Sequence, residues 1–282
     1  MRNRLIILRR FRYNRRKPDM RLYMRKILLF LTLATSSLTA DDLLIQIHQE
    51  TADFIGHKIW KNECGGKVEG LTSWNKGETF ASLGIGHFIW HTQGKSERFE
   101  ETFPLLVKYL ETEKVTLPLW LNSSLPCPWN SRLEFYDDID SDRMKELRTL
   151  LLETKQYQAI FIATRFQAHL REIADSVSPE QQDKVRKTLT ELIKTKEGLY
   201  SLIDYFNFKG SGLSPDERYN GRGWGLLQVI LNMDISEPDL LGEFVKSAKA
   251  TLRARVENSP PERNENKWLK GWFNRLDTYL KS

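Results

Sequence analysis

The stretch Asn62-Glu63-Cys64-Gly65-Gly66, followed some twenty residues later by Ser82-Leu83-Gly84-Ile85-Gly86-His87, decides the fold. Apolar residues recur at three- and four-residue spacing over 41–62, which predicts an amphipathic helix ending at the paired glycines. Residues 67–92 lack a helical period and are rich in Thr, Trp, Phe, Ile and Gly, which predicts a hairpin or three short strands. A lone carboxylate, Glu63, is therefore expected at a helix end beside a small sheet.

Helical patterns dominate the rest of the chain. Helices are predicted from Pro104 to Leu110, over 141–152, 155–174, 197–207, 224–233 and 236–256, from Pro179 onward, and through Trp268–Leu280. Ser141 and Ser178 are predicted to cap their helices, and Ser236, with Pro238, is predicted to begin the helix over 236–256. Residues 115–138 and 208–222 are predicted to be irregular because Pro, Ser, Asn and Gly cluster there. The predicted fold class is α+β, predominantly α-helical, with one small antiparallel sheet. Residues 41–282 are predicted to form one domain with a helical insertion at about 99–196.

The N-terminal segment has the pattern of an export signal. Met24-Arg25-Lys26 is a short basic region, residues 27–34 are apolar but too short to span a bilayer, and small residues lead to Ala40. A signal peptide over 1–40 is predicted, with Met20 or Met24 as an alternative start. The protein is then periplasmic or secreted, without stable membrane insertion after cleavage.

The charge distribution argues against nucleic-acid binding. Of 43 Lys/Arg and 37 Asp/Glu, residues 1–40 hold eleven and one, which leaves 32 basic and 36 acidic residues in 41–282. The basic character belongs to the leader, and no basic stripe with interleaved aromatic residues follows it. We therefore expect no nucleic-acid partner.

Glu63 has a position suited to acid catalysis. Cleavage of a glycosidic bond needs a proton delivered to the leaving oxygen, and a partly buried carboxylic acid supplies it. Trp60 precedes Glu63, and the two glycines that follow permit close approach of a substrate. The alternative is a glutamate in the last helical turn that faces water.

Three motifs, in order, resemble the lysozyme-like superfamily. Asn62–Gly66 resembles the Glu-Ser-Gly-Gly segment of lytic transglycosylases and the glutamate site of plant-type chitinases. Ser82–His87 resembles the Thr-Ile-Gly-Tyr-Gly-His strand of phage-type lysozymes. The segment from Arg218 to Gln228 resembles both the Tyr-x-Gly-Arg-Gly-x-x-Gln-Leu segment of plant-type chitinases and the Gly-Leu-Met-Gln segment of transglycosylases and goose-type lysozymes. The resemblance covers about fifty residues and implies a lysozyme-like helical core.

The resemblance also implies roles for individual residues. Glu63 matches the general acid, and Gln228 with Gly225 matches a cleft wall that binds N-acetyl groups and faces Glu63; the alternative for Gln228 is a helix-capping surface residue. Tyr219 and Arg222 match residues that brace this wall, although Arg222 also fits a solvated loop charge. His87 follows the strand glycines, where it either orients a carboxylate or belongs to the core. The sequence Gly271–Arg275 is weakly similar to a phage-lysozyme helix, and we expect it to pack.

Other residues compete for roles in the site. Glu69 begins a Glu-Gly-Leu match to phage-type lysozymes in an alternative register, and Glu78 is a candidate second carboxylate for positioning water. Trp74 fits either sugar stacking or core packing. Cys64 and Cys127 fit either a disulfide, worth roughly 4 kcal/mol on the loop-entropy model, or two buried apolar side chains. Five scattered histidines give no helical i, i+4 metal pair, and the predicted chemistry needs no cofactor.

The sequence thus predicts an exported glycan-cleaving enzyme, a peptidoglycan hydrolase or lytic transglycosylase, that uses Glu63 as its acid. Its expected partner is a polysaccharide, peptidoglycan first and a chitin-like polymer second. The alternative is a non-catalytic secreted glycan-binding or cell-envelope protein with a lysozyme-like fold.

Overall fold

Helices make up about 60% of this structure, a computed structural model that describes residues 43–94 and 100–281. The α-helices of the described residues are α1 (Gln49–Cys64), α2 (Phe103–Thr112), α3 (Arg132–Asp137), α4 (Asp142–Glu153), α5 (Lys155–Asp175), α6 (Pro179–Ile193), α7 (Lys196–Lys209), α8 (Leu226–Asn232), α9 (Leu240–Asn258) and α10 (Asn266–Asp277). The strands are β1 (Thr72–Ser73), β2 (Phe80–Leu83), β3 (Phe88–His91), β4 (Arg218–Tyr219) and β5 (Arg222–Gly223). The predicted α+β, predominantly helical class is confirmed. The predicted export signal lies outside the described residues.

The first three strands form an antiparallel sheet in the order β1-β2-β3. Leu83 pairs with both Thr72 and Phe88, whereas Phe80 pairs with His91. The turn of residues 84–87 therefore lies at one end of the sheet, and the 74–79 connection lies at the other. The predicted strands over 67–92 are confirmed.

Helix α5 supports this sheet from inside the core. It packs along α1, and its Gln158, which is fully buried, accepts a hydrogen bond of 2.9 Å from the backbone N–H of Ile85. The segment predicted as an insertion thus shares one continuous core with α1 and the C-terminal helices. Its helices also fix the turn after β2.

Some predicted boundaries are wrong for local reasons. Helix α1 begins at Gln49 rather than 41, because Leu43 and Ile45 are buried while Leu44 is exposed, the alternation of an extended segment. Helix α3 lies within the segment predicted as irregular, where Ser131 caps it by accepting from the Glu134 N–H. The β4–β5 hairpin similarly interrupts the predicted 208–222 loop.

The cap of α9 also differs from the expected one. Asp239 rather than Ser236 caps the helix, and its carboxylate accepts from the Gly242 N–H at 2.9 Å. The Ser141 cap of α4 is as predicted, with its hydroxyl accepting from Met144 N–H at 3.1 Å. Among the described residues, no helix combines the length and apolar character needed to cross a membrane.

Candidate functional site

Glu63 lies in the last turn of α1. The helix ends at Gly65, which adopts the left-handed conformation (φ 61°), and the Gly66 N–H closes the turn by donating to the Trp60 carbonyl. The Glu63 side chain is 21% exposed. The predicted placement of a partly buried carboxylate at a glycine-terminated helix end, beside a small sheet, is therefore observed.

An arginine from the last helix contacts this carboxylate. Arg275 of α10 donates from Nη2 to Glu63 Oε1, and it holds Asp204 of α7 with two hydrogen bonds of 2.8 and 2.9 Å. The Tyr279 hydroxyl donates to the same Asp204 at 2.6 Å. Glu63 and Asp204 thus share one guanidinium.

The surrounding carboxylates keep the Arg275 guanidinium charged. Burial alone lowers the pKa of Arg275, but the neighbouring Asp204 and Glu63 carboxylates raise it well above its ordinary value. Burial and the Asp204 charge raise the pKa of Tyr279, so its phenol stays protonated and remains a donor. Because Asp204 is itself buried and takes two guanidinium bonds, it neutralises much of the arginine charge near Glu63.

His87 contacts the other oxygen of Glu63. Its Nδ1 lies 3.5 Å from Glu63 Oε2, and the residue has a positive φ of 49° at the end of the turn after β2. Gln158 holds this turn through the Ile85 N–H, and the Cys64 thiol donates to the Gly84 carbonyl at 3.8 Å. Of the two interpretations of His87, the structure has the one in which it faces a carboxylate.

The Asn62 side chain anchors the end of α1. Its Nδ2 donates to the Tyr200 hydroxyl at 2.7 Å and to Thr278 Oγ1 at 3.1 Å. Helix α7 and the C-terminal turn therefore fix the residue immediately before Glu63.

Gln228 and Gly225 form the tight start of α8. Gln228 accepts from the Gly225 N–H at 3.0 Å and donates to the Gly212 carbonyl at 3.1 Å. The capping alternative for Gln228 is thus the observed one, because its oxygen and one N–H are engaged within the protein. Its role in binding an N-acetyl group, and a cleft shared with Glu63, stay predictions.

The Tyr219 side chain is held by a buried carboxylate. Its hydroxyl donates to Glu265 at 2.9 Å, and Arg255 binds the same carboxylate with bonds of 2.7 and 2.9 Å. Its ring lies 4.5 Å from that of Trp224. Arg222 is exposed on β5, as expected of a solvated loop charge.

Trp74 is not available for stacking on a sugar. It is 1% exposed, packs edge-on against Phe135, and donates from its indole to the Glu78 carbonyl at 2.9 Å. Stacking is therefore wrong and core packing is right for this residue. Helix α3 covers the ring through Phe135, and this helix lies in a segment predicted to be irregular.

The competing carboxylates do not join the Glu63 cluster. Glu69 is exposed in a short 3₁₀-helix after α1. Glu78 lies in the 74–79 connection, at the sheet end away from His87, with its Oε2 buried and without a hydrogen-bond partner in the described residues. A role for Glu78 in positioning water stays a prediction.

The disulfide alternative is wrong. Cys64 and Cys127 are both free and buried. Cys64 turns towards the Gly84 carbonyl, and burial raises the pKa of each thiol to about 12. Both therefore act as small apolar side chains.

Sequence reasoning missed four polar residues of this region. They are Arg275, Asp204, Lys209 and Glu217. The segment containing Arg275 is expected from its pattern only to pack, and Asp204 stands alone in the apolar run Leu202–Phe206, which is a signal for a paired buried charge. Burial raises the pKa of Glu217, whose carboxylate accepts from the Gly212 N–H beside Gln228.

Comparisons of the chain with models of protein families, with curated proteins and with solved structures found no match.

Proposed function

We propose that this protein is an exported glycan-cleaving enzyme in which Glu63 donates the proton to the leaving oxygen. The observation that carries the proposal is the setting of Glu63. Its carboxylate is partly exposed at a rigid helix end, with Arg275 on one oxygen and His87 on the other. The resemblance of three ordered motifs to the lysozyme-like superfamily is the second support.

The surrounding residues suit a carboxyl that must gain and lose a proton. Asn62 and the glycine-terminated end of α1 fix its backbone, which favours a single geometry towards the scissile bond. Asp204 offsets the charge of Arg275, so the guanidinium positions Glu63 without acting as a full, uncompensated cation. His87 supplies a second group that contacts and orients the carboxyl.

The position of Glu78 relative to the sheet bears on which group attacks the sugar once Glu63 has protonated the leaving oxygen. Retaining glycosidases need a second carboxylate about 5 Å from the acid. Glu78 lies beyond β2, and a four-residue strand spans about 13 Å. Attack by the substrate's own hydroxyl, in which Glu63 first gives and then recovers a proton, needs no second carboxylate. Hydrolysis through a water held by Glu78 needs the two carboxyl groups about 6.5–9.5 Å apart.

The substrate we propose is peptidoglycan, with a chitin-like polymer as the second choice. This part of the proposal depends on the motif resemblance and on the export signal predicted for residues 1–40, which together indicate a periplasmic or secreted enzyme. The proposed lysozyme-like character of the helical core depends on the same motifs.

A non-catalytic glycan-binding or envelope protein is the second candidate. One observation favours it: the Glu63 carboxylate already has a partner on each oxygen, as in a structural ion pair. Under this alternative, replacing Glu63 changes the free energy of unfolding. The wild type and the variant then both bind glycan without cleaving it.

The deciding experiment is cleavage of purified peptidoglycan by Glu63→Gln, with product masses recorded. Glutamine keeps the shape and most hydrogen bonds but has no transferable proton, so we expect activity to fall by about two orders of magnitude or more. Glu69→Gln is the matched control and should retain activity. Products with an anhydro end and products with a reducing end differ by one water, which separates transglycosylation from hydrolysis. Full activity of Glu63→Gln would rule out the proposed acid.

A further inference from the structure

Cations and aromatic rings alternate in a row that begins at the Glu63 site. The cation–aromatic row consists of Arg275, Phe208, Lys209, Trp272 and Arg255. Arg275 Cζ lies 4.3 Å from the Phe208 ring centroid, and Lys209 Nζ lies 3.9 Å from that centroid and 3.6 Å from the Trp272 centroid. Arg255 Cζ follows at 5.1 Å from Trp272. Arg255 Cζ also lies 4.0 Å from the Trp224 ring centroid. The row therefore leads from the proposed acid to the stacked pair of Tyr219 and Trp224.

The two arginines of the row have carboxylate partners, and the lysine does not. Arg275 binds Asp204 and Glu63, and Arg255 binds Glu265. Within residues 43–94 and 100–281, Lys209 Nζ makes neither an ion pair nor a hydrogen bond, and its contacts are the two ring faces. A buried amine normally has a hydrogen-bond partner, and its ammonium form also needs an opposite charge. Lys209 is therefore an incomplete site.

The side chain nevertheless keeps an opening to solvent. Lys209 is 9% exposed, and both Phe208 and Trp272 are only partly buried. The distances through the shared Phe208 ring bound the separation of Lys209 Nζ from Arg275 Cζ at about 8 Å. A glycan bound at Glu63 covers such a distance, so a substituent on a neighbouring sugar reaches the ammonium.

We propose that Lys209 is the anchor for a carboxylate borne by the glycan, with the exposed parts of Phe208 and Trp272 receiving the sugar rings. A single ammonium is a point charge with three donors, which suits one carboxylate, whereas bidentate and clustered guanidinium groups suit phosphate. The ligand class is an N-acetylhexosamine polymer with carboxylate substituents, in preference to a neutral one. The inference rests on the proposed function only in taking the glycan at Glu63 as the ligand.

Proton uptake should accompany this binding. Burial, followed by the charge of Arg255, lowers the pKa of Lys209 to about 6, against the opposing charge of Glu265; Arg275 adds a smaller lowering. Of these groups, Glu265, the residue before α10, and Arg275, on α10, stay charged near neutral pH because the pKa of Glu265 is lowered and that of Arg275 is raised. A bound carboxylate favours the ammonium form. Affinity for an acidic ligand should therefore increase as the pH falls through about 6 and stay high until the ligand carboxylate is protonated.

The first test compares two monosaccharides that share a ring and differ by one carboxylate-bearing substituent. N-acetylmuramic acid and N-acetylglucosamine are titrated into the full chain at pH 5.5, in wild type, Lys209→Met, Lys209→Arg and Lys267→Met. Lys267 is the matched control, because its Nζ lies 4.5 Å from the Trp268 ring on the same helix as Trp272 but on an exposed surface. We expect Lys209→Met to weaken binding of the acidic sugar about tenfold or more, without effect on the neutral sugar, and Lys209→Arg and Lys267→Met to retain binding.

A second measurement needs only the wild type. Calorimetry in two buffers of different ionisation enthalpy should show uptake of about one proton on binding the acidic sugar near pH 7, and almost none near pH 5. No preference for the acidic sugar, an equal loss for both sugars in Lys209→Met, or binding without proton uptake overturns the inference. If the acidic sugar binds through Lys209 but the protein cleaves no glycan, the anchor stands and the proposed enzyme activity fails.

Discussion

Arg275 donates a hydrogen bond to Glu63 across 212 positions of sequence, and the same guanidinium neutralises the buried Asp204. The last helix of the described chain is therefore joined to the first through the proposed catalytic carboxylate. Arg275 therefore has two effects on the structure. It satisfies a carboxylate in the core, and it holds the proposed acid in place at the end of α1.

Replacing Arg275 should show how much this residue contributes to the free energy of unfolding. Arg275→Met leaves Asp204 buried without its main partner, so the free energy of unfolding should fall by about 3–5 kcal/mol. Arg263→Met is the control, because Arg263 is half exposed and contacts a carboxylate that Arg255 also holds; its loss should cost less than about 1 kcal/mol. Urea denaturation of both variants measures the difference. Equal stability of the two would show that Asp204 does not depend on Arg275.

Local sequence signals predicted the first half of the site well. The glycine pair and the strand-forming residues each act over a few residues, so pattern alone located Glu63 and the sheet. The Ser141 cap was predictable for the same reason, whereas the Ser178 hydroxyl, which also directly precedes its helix, makes no cap hydrogen bond. The turn of residues 84–87 was expected as part of a strand.

Local sequence patterns did not predict the features that depend on packing between distant parts of the chain. The partner of Glu63 comes from the opposite end of the chain, and nothing near Arg275 in sequence distinguishes a buried ion pair from an ordinary helix surface. The roles of Trp74 and the two cysteines stayed open for the same reason. A tryptophan that stacks on a sugar and one in the core can occupy the same local pattern, and so can a cysteine in a disulfide and a free buried one. Only the fold determines which face of the hairpin is turned inward.

Gln158 offers a test of how α5 supports the site. It is fully buried, accepts from the Ile85 N–H and donates to the Leu151 carbonyl at 2.7 Å. Gln158→Met keeps the volume but leaves both backbone groups unpaired, at a cost of about 1–3 kcal/mol for each unsatisfied group. Gln156→Met is the control, because Gln156 bonds only the exposed Gln49; it should change stability by less than about 0.5 kcal/mol. Comparable thermal shifts in the two variants would contradict the support that we assign to α5.

Cys64 and Cys127 should remain reduced without added reductant. With a pKa near 12, each thiol carries almost no thiolate at neutral pH and should react slowly with a maleimide. Intact-mass analysis of the untreated protein should therefore find two thiols that become labelled rapidly only after unfolding in denaturant. A native mass lower by two hydrogens, together with failure to label in denaturant before reduction, would show that the disulfide alternative is correct after all.

Gly225 and Gly271 give opposite predictions for the same substitution. A Cβ added at Gly225 would clash with the Gly212 nitrogen, a backbone atom that cannot yield without moving the start of α8. Gly225→Ala should therefore destabilise the protein by about 1–3 kcal/mol, the usual range for overpacking. Gly271 lies in α10, where an added Cβ would meet nothing within 4 Å, so Gly271→Ala should stabilise by about 0.5–1 kcal/mol through helix propensity. Chemical denaturation of both variants checks the two signs. A neutral Gly225→Ala would mean that the α8 start and the Gly212 loop are not in close contact in solution.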